Sequence, residues 1–497
     1  MKIAILRTEQ ADIERTYNGV EFAAANDGVR VVAYVSADAG GTHRNLPVVP
    51  PSASALAELG VEMVVAASPL NAGDRHPFES VGWPQDRLLS YATDRAACRG
   101  IWAAHAGWLA ARRPVVAGEV LSPMLQYARI GEPSIGDIQP HLSADALASI
   151  TSRIFKAYQL AMVDAPSSGP YAIGRNWGAF LRFSRPNFYA AAERGDIEMM
   201  STLLASCLRN EMTTGTFGGG AAYEAYNAWV SAGRSVVAPI RQQYNVWRYS
   251  VQNADITRLA APAVGNPFGV WVGDGIVHPN TFLNDYRAQF VSGLIEQIDR
   301  PIVVDLGGGF GGFGHQLLSN GAGETYVGFD LPENLIVAAY FLLVAHPEKR
   351  VLLYESLDQK LDAQTLRQYD IVLMPNFMLP RMAELSVDVF TNFISLSEMD
   401  YGSIVEYLEQ VDRVCAGFFY HENLLDNGEN YEFYPASVFP ALEHFKTVST
   451  APSRWPFFSP TSPHHCHGEF LSVRRGVNTT RYLGMVPRAD VRRRRAA

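Results

Sequence analysis

A run of glycines, VVDLGGGFGGFG (303–314), constrains this chain more than any other feature. The apolar segment IVVDL enters it, and the helical stretch HQLLSNG leaves it. The order is strand, tight turn, helix. Glycine lets the backbone turn sharply and approach a ligand closely, and the helix start presents free N–H groups. Gly307, Gly309 and Gly312 satisfy G-x-G-x-x-G, which alone suits NAD as well as other nucleotide-type ligands.

The segments around the run repeat one pattern. PIVVDLGG, ETYVGFDL, YDIVLMPN, VDVFTNFISL and AGFFYHEN read as strands, with helical stretches between them. The sequence therefore predicts a doubly wound α/β core over 281–475, with the strand ends at one edge facing the ligand. Residues 1–125 read as a small Rossmann-like α/β domain: KIAILRT, VRVVAYVSA and VEMVVAASP are strands, and PSASALAELG is a short helix. No glycine fingerprint follows its first strand, so no dinucleotide is assigned to it. Residues 126–280 read as a mainly helical acceptor or lid region, carried by LSADALASITSRIFKAYQLAMVD, GDIEMMSTLLASCLRNEM and AAYEAYNAWVSAGRSVV. Within it GTFGGG (215–220) reads as a helix connection or a ligand-contacting loop, and PAVGNPFGVWVGDGIVHP (262–279) as a linker or lid. Residues 476–497 form a basic tail ending in RADVRRRRAA, read as solvated or as a contact for anionic lipid or an acidic partner.

Composition narrows the class. A chain of 497 residues should hold two or three domains. Its 48% hydrophobic and 18% charged content is that of a soluble protein with real cores. A formal net charge of -9 argues against nucleic acid as a partner. Cys98, Cys207, Cys415 and Cys466 lie far apart without a C-x-x-C pair, so no disulfide framework or structural zinc is expected and a cytoplasmic setting fits. The N-terminus lacks the apolar stretch of a signal peptide, and no run is long enough for a membrane span.

Two carboxylates refine the ligand. Asp305 sits two residues before Gly307, and Asp330 ends the next strand about 25 residues further on, where an acid accepts ribose hydroxyls. An acid beside the glycine turn favours a ligand bearing positive charge, such as a sulfonium and an amino group, and disfavours a pyrophosphate. VVDLGGGFGGFG followed by VGFDLPENLIVAAYFL resembles the motifs of class I S-adenosylmethionine-dependent methyltransferases. More narrowly, the glycine run, the Asp–Leu–Pro–Glu segment, NFISLSEMDYGSIVEYL (392–408) and FFYHEN (418–423) resemble the sugar O-methyltransferase family of bacterial polysaccharide and glycan gene clusters. The resemblance covers about 280–475.

The resemblance implies S-adenosyl-L-methionine as cofactor, held by Asp305, Gly307, Gly309, Phe310, Asp330, Leu331 and Ser395. Asn376 and Phe377, after DIVLMP, would lie near the adenine, Asn376 reading its edge and Phe377 stacking on it. Glu398, just past the fourth core strand with Ser395 and Ser397 beside it, matches the acid that serves the acceptor in many O-methyltransferases. It reads equally as the acid of a helix start capped by Ser397. His421, with Asn423 at the end of the fifth strand, is suited to proton transfer or to a structural role. In SPHHCHGEFLSV (462–473), His464, His465, Cys466 and His467 match no zinc signature, so no metal is assigned and His465 is counted as bordering the acceptor pocket. FLNDYRAQF (282–290) resembles the segment before the family's core; Tyr286 and Arg287 would reach the cofactor's carboxylate, or else belong to a surface helix.

The expected activity is methyl transfer to a sugar hydroxyl of a glycan, nucleotide sugar or lipid-linked sugar. The rivals are a methyltransferase of a non-sugar natural product, an NAD-dependent oxidoreductase, and a non-catalytic cofactor-binding partner subunit. The partner is a small-molecule or glycan acceptor; the oligomeric state is open, a homo-oligomer included.

Overall fold

A computed structural model of the chain describes residues 1–6, 30–43, 46–66, 72–90, 142–232, 256–272, 275–321, 323–426, 433–453 and 466–477, with short pieces near 94–98, 133–140 and 240–251. The N-terminal unit holds β1 (Lys2–Leu6), β2 (Arg30–Val35), β3 (Thr42–His43), β4 (Leu46–Val49), α1 (Ala53–Glu58), β5 (Met63–Ala66), α2 (Ala72–Ser80) and β6 (Leu88–Ser90). Its sheet runs β3-β4-β2-β1-β5-β6, parallel except for β3 against β4. Alternate residues of β1 feed two cores: Ile3 and Ile5 pack with Tyr34 and Val65, whereas Ala4 and Leu6 pack with Leu56 and Phe78. That alternation is what a sheet covered on both faces requires. The three strands and the helix expected here form, α1 being capped by Ser52, whose hydroxyl accepts from the Ala55 N–H.

The middle region contains β7 (Pro133–Ser134), α3 (Ala144–Asp164), α4 (Arg175–Ser184), α5 (Pro186–Arg194), α6 (Ile197–Ala205), α7 (Gly219–Ser231), β8 (Gly269–Val272) and β9 (Gly275–Val277). Ser143 caps α3 and Asp196 caps α6 through side-chain oxygens. Ile154, Phe155 and Tyr158 of α3 and Leu203 and Leu204 of α6 enter one hydrophobic core with Ile336, Val337 and Tyr340. The helices are thus welded to the C-terminal core rather than tethered beside it. The end of 262–279 differs from the linker or lid expected: β8 and β9 pair as a hairpin in the sheet β7-β8-β9, and Val270, Val272 and Val277 are buried with Trp247 and Phe282. Its glycines serve close packing, since a Cβ on Gly269 would overlap the Val277 carbonyl.

The C-terminal core comprises α8 (Pro279–Ile295), β10 (Ile302–Leu306), α9 (Gly312–Asn320), β11 (Thr325–Asp330), α10 (Pro332–Ala345), β12 (Val351–Leu353), α11 (Ala363–Leu366), β13 (Ile371–Pro375), β14 (Val387–Phe393), α12 (Tyr401–Val414), β15 (Cys415–Asp426), β16 (Phe445–Pro452) and β17 (Cys466–Arg474). The sheet order is β12-β13-β11-β10-β14-β15-β17-β16. Strands β10 to β15 pair in parallel, and β17 inserts antiparallel between β15 and β16. All five strands expected from the sequence are present. The edge strand β12 and the closing pair β16–β17 complete the sheet. Every residue of β10 is buried, as in a strand covered on both faces. From β10 the chain builds outward through β11 to one side and β14 to the other, which opens a crevice at the strand C-termini. Among the described residues, no helix is long and apolar enough to cross a membrane.

Candidate functional site

A cavity of about 340 Å³ occupies that crevice. Its floor is the glycine turn, and its walls include Asp330, Leu331, Asn334, Asn376, Ser395 and Glu398. Gly307, Gly309 and Gly311 have φ of +74°, +60° and +87°, a region that side chains with a Cβ rarely adopt. Sterics close the same option: a Cβ on Gly307 would overlap the Ser395 hydroxyl, and one on Gly308 would lie 2.5 Å from Asp305 Oδ2. Gly307→Ala is therefore expected to cost about 2 kcal/mol or more of stability, read as a lower urea midpoint; an unchanged midpoint would show that the turn relaxes freely.

The two acids of the turn are held differently. Asp305 is 1% exposed. It accepts from the Tyr326 hydroxyl at 2.9 Å and the Thr391 hydroxyl at 3.1 Å, and burial pushes its carboxyl up to about 6. Asp330 Oδ2 accepts the Gly309 N–H at 2.8 Å. Its Oδ1 accepts the Leu331 N–H at 2.7 Å and the Asn334 amide at 2.9 Å. Burial raises the Asp330 pKa, and these three bonds oppose the rise. The carboxylate at the end of β11 thereby fixes the middle of the glycine turn.

Across the crevice, the chain leaves β14 through Ile394 at φ +75° and ψ −35°. A β-branched residue in that region is strained, and such strain collects at functional sites. The turn is clamped from behind. Asn392 donates to the Leu306 carbonyl at 2.9 Å and to the Ser395 hydroxyl at 2.6 Å. Asn423 donates to Asn392 Oδ1 and accepts from the Ser397 N–H and hydroxyl at 3.0 and 3.1 Å. Ser397 is thus spent on Asn423, and Asp400, the residue before α12, makes no side-chain capping bond. The short 3-10 turn Ser395–Glu398 delivers Glu398 to the cavity. Burial pushes its carboxyl up to about 7, moderated by a hydrogen bond from Trp177 of α4.

The other expected residues divide. Asn376 lines the cavity and is buried, donating to the Tyr171 carbonyl at 2.9 Å and the Tyr407 hydroxyl at 2.8 Å. Phe310 lines it from an aromatic cluster with Phe217 and Phe341. Arg287 lines it too, but α8 is a buried helix. The guanidinium is engaged by the buried Glu422 through Nε at 2.9 Å and through Nη2, and lies 4.3 Å over the Phe393 ring. Three of the expected residues do not line the cavity. Phe377 does not line the cavity: it turns away on the 3-10 segment Asn376–Arg381 and sets its ring edge-on to Tyr354 at 5.7 Å. Tyr286 instead donates to Glu469 of β17 at 2.7 Å. His421 is not at a strand end, because β15 continues to Asp426 and pairs His421 with Phe470 of β17. Its ring stacks on Phe419 and Phe470 at 4.6 and 4.7 Å, and burial pushes its pKa down to about 3, so it stays neutral. His465 lies outside the described residues.

Sequence reasoning did not single out Trp177, Asn284, Asn334 or Tyr407, all of which line the cavity. Asn334 had a signal, one helical turn after Asp330. Gly215 and Thr216, from the GTFGGG cluster, also line it.

No protein-family model and no curated protein matches the chain. Solved structures similar to it include magnesium protoporphyrin IX methyltransferase from Synechocystis PCC 6803 with bound SAM, at 12% identity over 41% of this chain and 86% of that one, TM-score 0.27. A TehB-like SAM-dependent methyltransferase from Corynebacterium glutamicum ATCC 13032 Kitasato gives 11% identity over 38% and 87%, TM-score 0.26. Mitomycin 7-O-methyltransferase gives 14% identity over 39% and 55%, TM-score 0.26. Likeness at these scores says nothing about activity. The strand order with its antiparallel β17 gives the fold class itself: a doubly wound α/β core.

Proposed function

We propose that this protein is an S-adenosylmethionine-dependent methyltransferase, and more narrowly an O-methyltransferase of a sugar hydroxyl. The observation that carries the reading is the pairing, within one cavity, of Asp330 behind the glycine turn with Glu398, a carboxyl tuned to about 7. When bound, the cofactor supplies a methyl group activated by its sulfonium. The chain's residues fit it: the Gly307–Gly309 turn leaves room that a Cβ would fill, Asp330 offers acceptors at the strand end, and the acids favour positive charge. Arg287 is the cation among the described cavity-lining residues, and it is already paired with Glu422. A pyrophosphate would find little here, which weighs against the NAD reading.

Glu398 supplies the chemistry expected of the chain. In its ionised form it takes the acceptor hydroxyl's proton as the oxygen–methyl bond forms and the sulfur–methyl bond breaks. Proximity and alignment in the cavity contribute most of the remaining rate. The sugar assignment draws on the family resemblance and on the cavity lining, where Asn280, Asn284 and Thr216 offer hydrogen bonds and Trp177 offers a flat apolar face. Calorimetric titration with S-adenosylmethionine and with NADH, followed by a labelled-methyl assay across sugars, phenols, acids and amines, tests both levels. Binding of the first ligand with transfer to sugars is expected. Binding of NADH alone would end the methyltransferase reading, and transfer only to phenols, acids or amines would end the sugar assignment.

A further inference from the structure

Arg185, between α4 and α5, is 0% exposed, and its guanidinium lies against the start of α10. Nη1 donates to the Glu333 carbonyl at 3.0 Å. Nη2 donates to the Thr214 carbonyl at 2.7 Å and to Asn334 Oδ1 at 2.9 Å. Nε has no hydrogen-bond partner among the described residues. A buried cation bonded only to neutral oxygens is an expensive arrangement, and an apolar side chain would fill the volume at lower cost if packing were its sole task.

The bonds show what the charge does. Asn334 can accept the Arg185 hydrogen bond only with its amide oxygen, so its NH₂ is turned to Asp330 Oδ1, 2.9 Å away. Asp330 is then held from three directions, by Asn334, Leu331 and Gly309. A chain of hydrogen bonds strengthened by a terminal charge orients its last member more firmly than separate bonds would. The same Nη2 holds the Thr214 carbonyl, next to Gly215 and Thr216 of the cavity wall. We propose that Arg185 is a positioning residue that acts through Asn334 to aim the Asp330 carboxylate at the ribose hydroxyls of the cofactor. This rests on the cofactor reading above. Arg185 itself does not line the cavity.

The test compares S-adenosylhomocysteine with its 2′-deoxyribose analogue by calorimetry, on the full chain and on Arg185→Lys. The unaltered protein is expected to favour the hydroxylated ligand by about tenfold or more. Arg185→Lys should lose that preference to within about twofold while its melting transition stays cooperative. A general structural role would instead weaken both ligands alike and keep the ratio, which overturns the proposal. Where Arg185→Lys does not fold, Asn334→Leu cuts the same relay and leaves both carbonyl bonds of Arg185 in place; a retained preference there overturns the proposal as well. If the unaltered protein binds neither ligand, the cofactor reading itself falls and takes the proposal with it. If it binds both equally, the cofactor reading stands and the positioning of Asp330 on the ribose is refuted.

Discussion

Asp330→Ala is expected to weaken S-adenosylmethionine binding by about 100-fold or more, measured by calorimetry on protein with an unchanged circular dichroism spectrum. Two effects add. The first is the loss of charge-assisted acceptance from the ribose, and bonds to charged groups are the strong ones. The second is internal, because Asp330 Oδ2 holds the Gly309 N–H and its Oδ1 the Leu331 N–H. Alanine leaves both N–H groups without that partner and releases the turn that must approach the ligand. Asp330→Asn separates the two effects: its amide oxygen keeps one acceptor, so a smaller loss is expected. Burial raises the pKa of Asp330. Stability from this group is therefore present at low pH and declines as pH rises. Asp330→Asn should accordingly keep its fold at pH 8. Binding by Asp330→Ala that equals the unaltered protein would remove this carboxylate from the cofactor site.

The legible part of this site is the part set by local geometry. IVVDL followed by glycines fixed strand, turn and helix together, because few other sequences can make that turn. Asp330 was readable for a similar reason, since an acid ending the second strand has one place to sit. The cavity's far wall was not readable. Trp177, Gly215 and Thr216 reach it because α3 and α6 pack into the same core as α10, a long-range outcome without a local pattern. His421 shows the opposite failure. FFYHEN reads as a strand ending near the histidine, whereas pairing with β17 carries β15 on to Asp426 and seals the ring between two phenylalanines. Ile394 gave no signal at all. A β-branched residue is a poor choice for positive φ, and it holds that conformation because Asn392, Asn423 and the Glu422 carbonyl clamp the turn around it.

Glu398→Gln is expected to lower kcat by about 10²- to 10⁴-fold with cofactor binding little changed, and to raise stability at alkaline pH. Both follow from one fact: burial lifts this carboxyl from 4.5 to about 7. The base is the ionised form, so kcat of the unaltered protein should rise as pH increases through about 7, and the glutamine variant should lack that limb. Stability runs the other way. A carboxyl whose folded pKa is raised contributes stability that is complete below its unfolded pKa and is lost as pH rises through the folded value. At pH 8 the unaltered protein therefore carries a buried charge that glutamine avoids. The gain is of order 1 kcal/mol, discounted because the side chain keeps part of its contact with solvent. The melting temperatures of the two proteins should converge toward pH 4 and separate toward pH 8 in favour of glutamine, while the rates separate toward pH 8 in favour of the unaltered protein. A variant that melts higher at pH 8 yet keeps its full kcat would place the proton acceptor elsewhere and leave Glu398 a structural acid.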